Sequence, residues 1–463
     1  MPFHRPPHPP SGGTIVIVGG GATGALTAVE LAEAGFHVTL VEKARIGNGS
    51  SQRSAAAIRA QFGTPETALG MAYSERWYVD FHDHLHTCVD ERSPVITQNG
   101  YLWLYEDPQF AARWDHKLTE SRTKAWKRAQ AGAQMQRLVG LPVETLDADE
   151  VVARWPHLNG DSAGGIIGAT WCPTDGFLIP DQVYLHGVRW ARELGATVRE
   201  GTEVIGSEVV GGKIVGLIVR QGTERQVIGC DAVINCTNAW APRFSRTVGG
   251  MDLPIEVLKR YLGFVPHTDA IDEATWKKLP FTIYGDGFVY SRPDGGTLMI
   301  GCAHETPPAN GFTDEDQDRV EPGFGHNDRS SGVPYVAHLR ERVGGFAPGL
   351  VEANLTATTC GFYGSTPDHN PLIGWDKQLD GLMHCAGFSG HGLMHAPISA
   401  LIVRALATGE VGKAWRNTTD PETGEVVKRE LRPSVRLPGY DQVLFLDRFA
   451  PDREFTQGEH AVL

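Results

Sequence analysis

Three glycines at the spacing Gly19-x-Gly21-x-x-Gly24, with Ala22 and Thr23 in the last interval, are the first residues of this chain suited to chemistry. At that spacing the first glycine allows a tight turn, the second lets a diphosphate approach the backbone, and the third lets a helix pack close to a strand. Glu42 follows after one further helix and strand, where a carboxylate can accept both hydroxyls of a ribose. A second glycine turn, Gly387-Phe388-Ser389-Gly390-His391-Gly392, stands far down the chain and leads into Leu393 and Met394. Cys236, Thr237 and Asn238, with Trp240 just beyond, close an apolar run and form a third small, polar cluster.

The elements that must position these groups are legible. Residues 15–18 are apolar and β-branched, as in a parallel strand covered on both faces. Residues 22–34 read as a helix ended by Gly35, and 37–41 as a second strand. The helix N-terminus then faces the diphosphate with free N–H groups and a positive dipole. Residues 232–235 form another strand, and a ligand in such a sheet lies at the strands' carboxyl ends. Residues 382–385, the second glycine turn and a helix repeat the strand-turn-helix plan. This second nest suits delocalised negative charge on a ring, such as the N1/C2 carbonyl edge of a reduced flavin.

Composition narrows the classes. With 463 residues, two joined domains are expected. A net charge of −13 with no basic stripe argues against nucleic acid and anionic membranes. No apolar run reaches the length of a membrane span. The start, residues 1–12, is rich in Pro and His and reads as a disordered leader. Seven scattered cysteines without a C-x-x-C pair suit reduced thiols and a cytoplasmic location.

Between the motifs lie less specific signals. Residues 43–64 are small and polar; Ser50, Ser51, Gln52 and Arg53 either contact phosphate or a ring system, or form a solvated loop. Arg59, in the run AAAIRAQF, reads as buried and so needs an anion, from the protein or from a substrate. Residues 66–88 have helical periodicity, and His82 and His86 on them are either a metal pair lacking a third ligand or a solvated flank. Residues 101–105 read as a strand, 109–138 as a polar amphipathic helix, and 254–359 as sheet with a Pro-Asp-Gly-Gly hairpin at 293–296. The acidic, glycine-rich stretch 307–332 reads as a lid or a disordered insertion. We therefore expect an α/β protein: a Rossmann-like nucleotide domain, discontinuous over 13–95, 160–250 and 360–412, and a substrate domain over 96–159 and 251–359. Residues 413–463 read as a polar, irregular tail.

Four blocks together, VGGGATG…VEK, SSQRSAAAIRAQF, CTNAWAPRF, and TPDHNPLIG with GFSGHGLMHAP, resemble the FAD-dependent D-amino acid oxidase superfamily. Within it the chain is most similar to the sarcosine oxidase, dimethylglycine dehydrogenase and glycine oxidase group. The resemblance implies extended FAD under a mainly antiparallel sheet. It also implies hydride transfer to flavin N5 from a C–H beside an amine nitrogen, then imine hydrolysis, with oxygen or another electron acceptor. It places Lys43, Ser54, Val204, Gly361 and Tyr363 beside the cofactor with the residues above. Arg59 matches a family arginine that pairs with the substrate carboxylate, and Tyr363 a tyrosine near substrate. Tyr261, Arg292 and His304 are further candidates on strands expected to line the pocket.

The departures shape the expectation. A lysine that promotes reaction with oxygen in monomeric sarcosine oxidase is matched by Met299, and a second lysine by Met394. The cysteine that links to flavin there is matched by Gly361, so FAD is expected to bind non-covalently, with Cys360 adjacent. A small-molecule amine or amino acid, less anionic or larger than sarcosine, is the expected substrate, and a homo-oligomer is a possible assembly. The alternatives are a 2-hydroxy acid dehydrogenase on the same fold and an FAD-binding subunit of a larger complex. No metal is expected.

Overall fold

The computed structural model describes residues 8–87, 92–107, 119–285, 289–302, 313–314, 335–419 and 426–455. Its first sheet has six strands in the order Leu372–Trp375, Leu382–Ala386, Ala232–Asn235, Thr14–Val18, His37–Val41 and Thr197–Arg199. All neighbours are parallel except the first pair. Ile15, Val16 and Ile17 are wholly buried, as a central strand covered on both faces requires. Helix Ala22–Glu33 packs between helices Gly392–Thr408 and Pro180–Glu193. Gly187 permits the second approach, because a Cβ there would come 3.2 Å from Cβ of Ala25.

The second sheet has eight strands, ordered Ala357–Ser365, Glu256–Pro266, Thr297–Cys302, Val289–Asp294, Phe281–Tyr284, Tyr101–Glu106, Ile166–Cys172 and Glu144–Leu146. It is antiparallel apart from the pairing of Phe281–Tyr284 with Tyr101–Glu106. The mixed α/β architecture, a Rossmann-like layer beside a mainly antiparallel sheet, is the expected one. Beneath the second sheet, helix Tyr335–Phe346 is pinned by the buried pair of Arg342 and Glu106.

Several boundaries differ from expectation. Ile166–Cys172 and Ala357–Ser365 belong to the second sheet, although residues 160–172 and 360–365 fell within the expected nucleotide unit. A buried strand's composition does not say which sheet it joins, and here the partners are remote segments. The helix expected over 66–88 is Pro65–Val79 followed by a separate turn, Phe81–His84. His86 has φ +45°, outside the helix, and its ring packs on Trp190 while His82 Nε2 lies 2.6 Å from the Ser93 carbonyl. The two histidines are therefore not a helical i, i+4 pair. The expected irregular tail contains an antiparallel sheet, Gly412–Thr419, Val426–Arg436 and Val443–Phe445. It is tied back to the core by Arg416 on Glu66 at 2.6 Å. Of the expected leader, residues 8–12 are placed against the core: Pro9 is buried and His8 Nδ1 lies 2.9 Å from the Leu406 carbonyl. Residues 1–7 and most of 307–332 lie outside the described residues.

Candidate functional site

Both glycine turns open onto one cleft at the carboxyl ends of the parallel strands, with an empty volume of about 1480 Å³ including its mouth. Gly19 adopts φ +108°, and a Cβ there would lie 2.6 Å from the Cys236 carbonyl oxygen. A Cβ on Gly24 would lie 1.9 Å from the Gly19 carbonyl oxygen, so only glycine lets the helix start this close to the turn. Helix Ala22–Glu33 has glycine at its N-cap, so no cap comes from that residue, and no acid in its first turn, which leaves its positive end suited to an anion. Ser51 Oγ accepts from Ala22 N at 3.0 Å and holds the 50s loop over that end.

Glu42 is fixed by two backbone donors: Oε2 accepts from Gly20 N at 2.8 Å and Oε1 from Ala44 N at 2.9 Å. Burial lifts its pKa above the ordinary carboxylate value against the pull of these amides. At the same end of the cleft, Lys43 Nζ meets Asp314 at 2.5 Å, and Trp240 Nε1 donates to the same carboxylate at 2.8 Å. Burial would raise the Asp314 pKa, but these partners hold it below its usual value. Val204 forms another part of this wall.

At the other end, Asn238 holds the second glycine turn to the strand beside it. Its backbone is left-handed, φ +46°, and Oδ1 accepts from Gly387 N at 3.1 Å and Phe388 N at 3.2 Å. Ser389, also left-handed, donates its N–H to the Gly364 carbonyl at 2.8 Å. Phe388, Gly390, Gly392 and Leu393 line the cleft behind this support.

Most of the expected cofactor residues converge here. Gly19, Gly21, Ala22 and Thr23 line the cleft, as do Ser50, Arg53, Ser54, Cys236 and Thr237. Gly361 and Tyr363 close it from the second sheet. Gly24, Gly387 and Ser389 shape the turns without lining the cleft. Gln52 is exposed on the loop, and Met394 is buried in the helix core. His391 stands behind the turn with its ring edge-on to Phe62 at 5.2 Å; burial, with Arg59 nearby, pushes its pKa well below normal.

The substrate candidates divide. Arg59 is 1% exposed, donates to the Gln61 carbonyl at 2.6 Å, and lies 4.1 Å from the ring centre of Phe62, 5.2 Å from Trp103 and 5.7 Å from Tyr101. Tyr363 is at the wall, hydrogen-bonded to Tyr290 and covered by the Arg260 guanidinium at 5.2 Å. Tyr261 is placed differently: it packs in the core on the far face with Cys360, its register partner. One residue's shift along a strand reverses the face, so Arg260, paired with Gly361, reaches the cleft instead. Arg292 donates to the Ala55 carbonyl at 2.6 Å and pairs with Asp294 at 3.0 Å, which makes it a tie between the sheet and the 50s loop. His304 lies outside the described residues. Arg260, Arg243 and Asp314 line the cleft and were not expected. Strand alternation from Gly361 could have revealed Arg260, whereas Asp314 stood in an acidic stretch without a marker.

Comparison with known proteins identifies the family. The model of the family described as FAD dependent oxidoreductase (DAO) matches residues 14–406. The chain belongs to that family. This FAD-dependent oxidoreductase is 25% identical over 390 residues to the mitochondrial sarcosine dehydrogenase of Mus musculus, covering 83% of the chain and 38% of the relative. It thus spans about two fifths of that relative's length. It is 25% identical to the glycine oxidase of Geobacillus kaustophilus, covering 85% of the chain and 92% of the relative. Among solved structures it is similar to the L-proline dehydrogenase of P. horikoshii, with TM-score 0.70, 27% identity, and coverage of 87% of this chain and 94% of that one. FAD is the family's cofactor, and the residues present fit it: a glycine turn at a helix N-terminus for the diphosphate, a fixed carboxylate beside it, and a second glycine turn for a ring. No helix among the described residues is long and apolar enough to cross a membrane.

Proposed function

We propose that this flavoenzyme oxidises a secondary or N-substituted amino acid or amine at the carbon beside nitrogen. Arg59 is the observation that carries the reading. It is a fixed, buried positive charge held by a carbonyl and three aromatic rings, in electrostatic contact with the His391 ring behind the second glycine turn. Such a charge recognises a carboxylate and orients the molecule that carries it. The relatives' names point the same way, since sarcosine and L-proline are secondary amino acids.

When bound, FAD supplies the two-electron acceptor for a hydride leaving that carbon, and hydrolysis of the resulting imine completes the reaction. The chain's own part is orientation and exclusion of water. Tyr101, Leu262, Phe281, Tyr290 and Met299 form a buried apolar cluster that does not itself line the cleft. His391 and His395, both held well below their usual pKa by burial, are neutral imidazoles, so no second cation competes with Arg59 for the carboxylate. Cys360 faces away from the cleft while Gly361 lines it, which supports non-covalent FAD. Met299, with no charge to draw oxygen toward the cofactor, favours an acceptor other than oxygen. The six free cysteines among the described residues fit a cytoplasmic location.

The test is anaerobic mixing of the purified holoprotein with N-methyl amino acids, cyclic amino acids, simple amines and 2-hydroxy acids. Absorbance is followed at about 450 nm, the flavin band, and air is then admitted. Bleaching by secondary amino acids with slow return in air is expected. Bleaching by hydroxy acids alone would overturn the proposal.

A further inference from the structure

Behind the cleft, a line of four polar side chains crosses three adjacent strands of the parallel sheet. Asp376 follows strand Leu372–Trp375, His384 is within Leu382–Ala386, and Asn235 ends Ala232–Asn235 in register with His384. The side chains of His384 and Asp376 are wholly enclosed, and Asn235 is 0% exposed. Groups so buried keep their polar atoms only if each is paired.

The hydrogen bonds fix every orientation. Asn235 Oδ1 accepts from Thr237 N at 3.2 Å and from Thr237 Oγ1 at 2.7 Å. Its amide nitrogen therefore faces His384 Nδ1 at 3.1 Å, and that ring atom must be the acceptor. The ring proton is then on Nε2, which donates to Asp376 Oδ2 at 2.8 Å. Asp376 also accepts from the backbone amides of Met251 at 2.8 Å, Gln378 at 2.7 Å and Leu379 at 2.8 Å, donors that demand a carboxylate. Direction thus runs one way along the line: the carboxylate sets the tautomer, the tautomer sets the amide, and the amide consumes the Thr237 hydroxyl proton.

Thr237 lines the cleft. We propose that the Asp376–His384–Asn235 line fixes the Thr237 hydroxyl as an acceptor for an N–H or O–H group of bound FAD, and that His384 is a positioning residue for the cofactor although it does not touch the cleft. The proposal rests on the cleft being the FAD site. Without the line, Thr237 is free to turn its proton toward the cofactor and present a donor where an acceptor is needed.

The experiment is titration of the apoprotein with FAD, read by flavin fluorescence, for the wild type, Thr237→Val, His384→Leu, and the double variant. Each single change is expected to raise the FAD Kd about tenfold, as for loss of one buried hydrogen bond. The double variant is expected to be no weaker than the weaker single one, because His384 acts through Thr237. His384→Gln, whose amide can both accept and donate, is expected to recover binding to within about threefold. Multiplying losses in the double variant, or a folded His384→Leu that binds FAD as the wild type does, would overturn the proposal. If His384→Leu does not fold, Asn235→Ala replaces it in the cycle and the same additive outcome overturns it. Glu42→Ala separates the two levels: unchanged FAD affinity there would remove the cleft assignment itself.

Discussion

The carboxyl groups of Glu75 and Asp175 are hydrogen-bonded to each other in a fully buried site. Asp175 accepts from Ala60 N and from Gln61 Nε2, both at 3.0 Å, and so holds the segment that carries Arg59. Two carboxylates in contact cannot both ionise. Burial first, and the Asp175 charge second, push the Glu75 pKa well above normal, so Glu75 keeps the proton and Asp175 the charge.

A raised folded-state pKa means that the folded protein binds this proton more tightly than the unfolded chain does. The stabilisation is whole below the ordinary carboxylate value and declines as pH rises above it. Glu75→Gln, which mimics the protonated form, is expected to flatten that decline in Tm measured from pH 5 to pH 9. A variant whose Tm falls with pH as steeply as the wild type would remove Glu75 as the proton holder.

Gly24→Ala is expected to be among the most damaging single changes. The added methyl would collide with the Gly19 carbonyl oxygen, a backbone atom that cannot move without displacing the first glycine turn. A Tm loss of more than about 5 °C and failure to retain FAD on gel filtration are the expected readings. Normal FAD retention would show that the turn relaxes.

The two glycine turns were legible in the sequence because each carries its own local signature: β-branched strand, glycine spacing, helix. Residues of both turns line one cleft. What escaped depended on pairing between distant segments. Tyr261 was one residue from the correct face, Arg292 was spent on the Ala55 carbonyl, and the partner of Asn235 in register is His384. No local pattern carries such information, since register is set by the whole sheet. The C-terminal sheet was missed because two of its strands, GKAWRNTT and VVKRELRPSVR, are charged and polar in sequence, so their alternation is weak.

Arg59→Lys keeps the charge but loses the planar fork and the stacking on Phe62. For a carboxylate substrate, KM is expected to rise about tenfold or more, with FAD affinity unchanged. Equal effects on an amine lacking a carboxylate would argue that Arg59 only supports the fold.

Met299→Lys tests the choice of electron acceptor. Met299 is 5% exposed within the aromatic cluster, so the new ammonium would stand in a low-dielectric site. Stopped-flow mixing of the substrate-reduced protein with oxygenated buffer is expected to show faster return of flavin absorbance than in the wild type. An unchanged rate would mean that oxygen use is set elsewhere.

His8, near the start of the described chain, meets the carbonyl of Leu406, close to where the family match ends. The parallel sheet takes three adjacent strands from residues 14–18, 232–235 and 382–386, so these neighbours come from widely separated parts of the chain. During synthesis the first glycine turn therefore leaves the ribosome long before one of its two flanking strands, Ala232–Asn235, and the second turn exist. The nucleotide cleft can close only when nearly the whole chain has emerged, which makes an incomplete chain a poor ligand binder and exposes its apolar strand to aggregation in the interval.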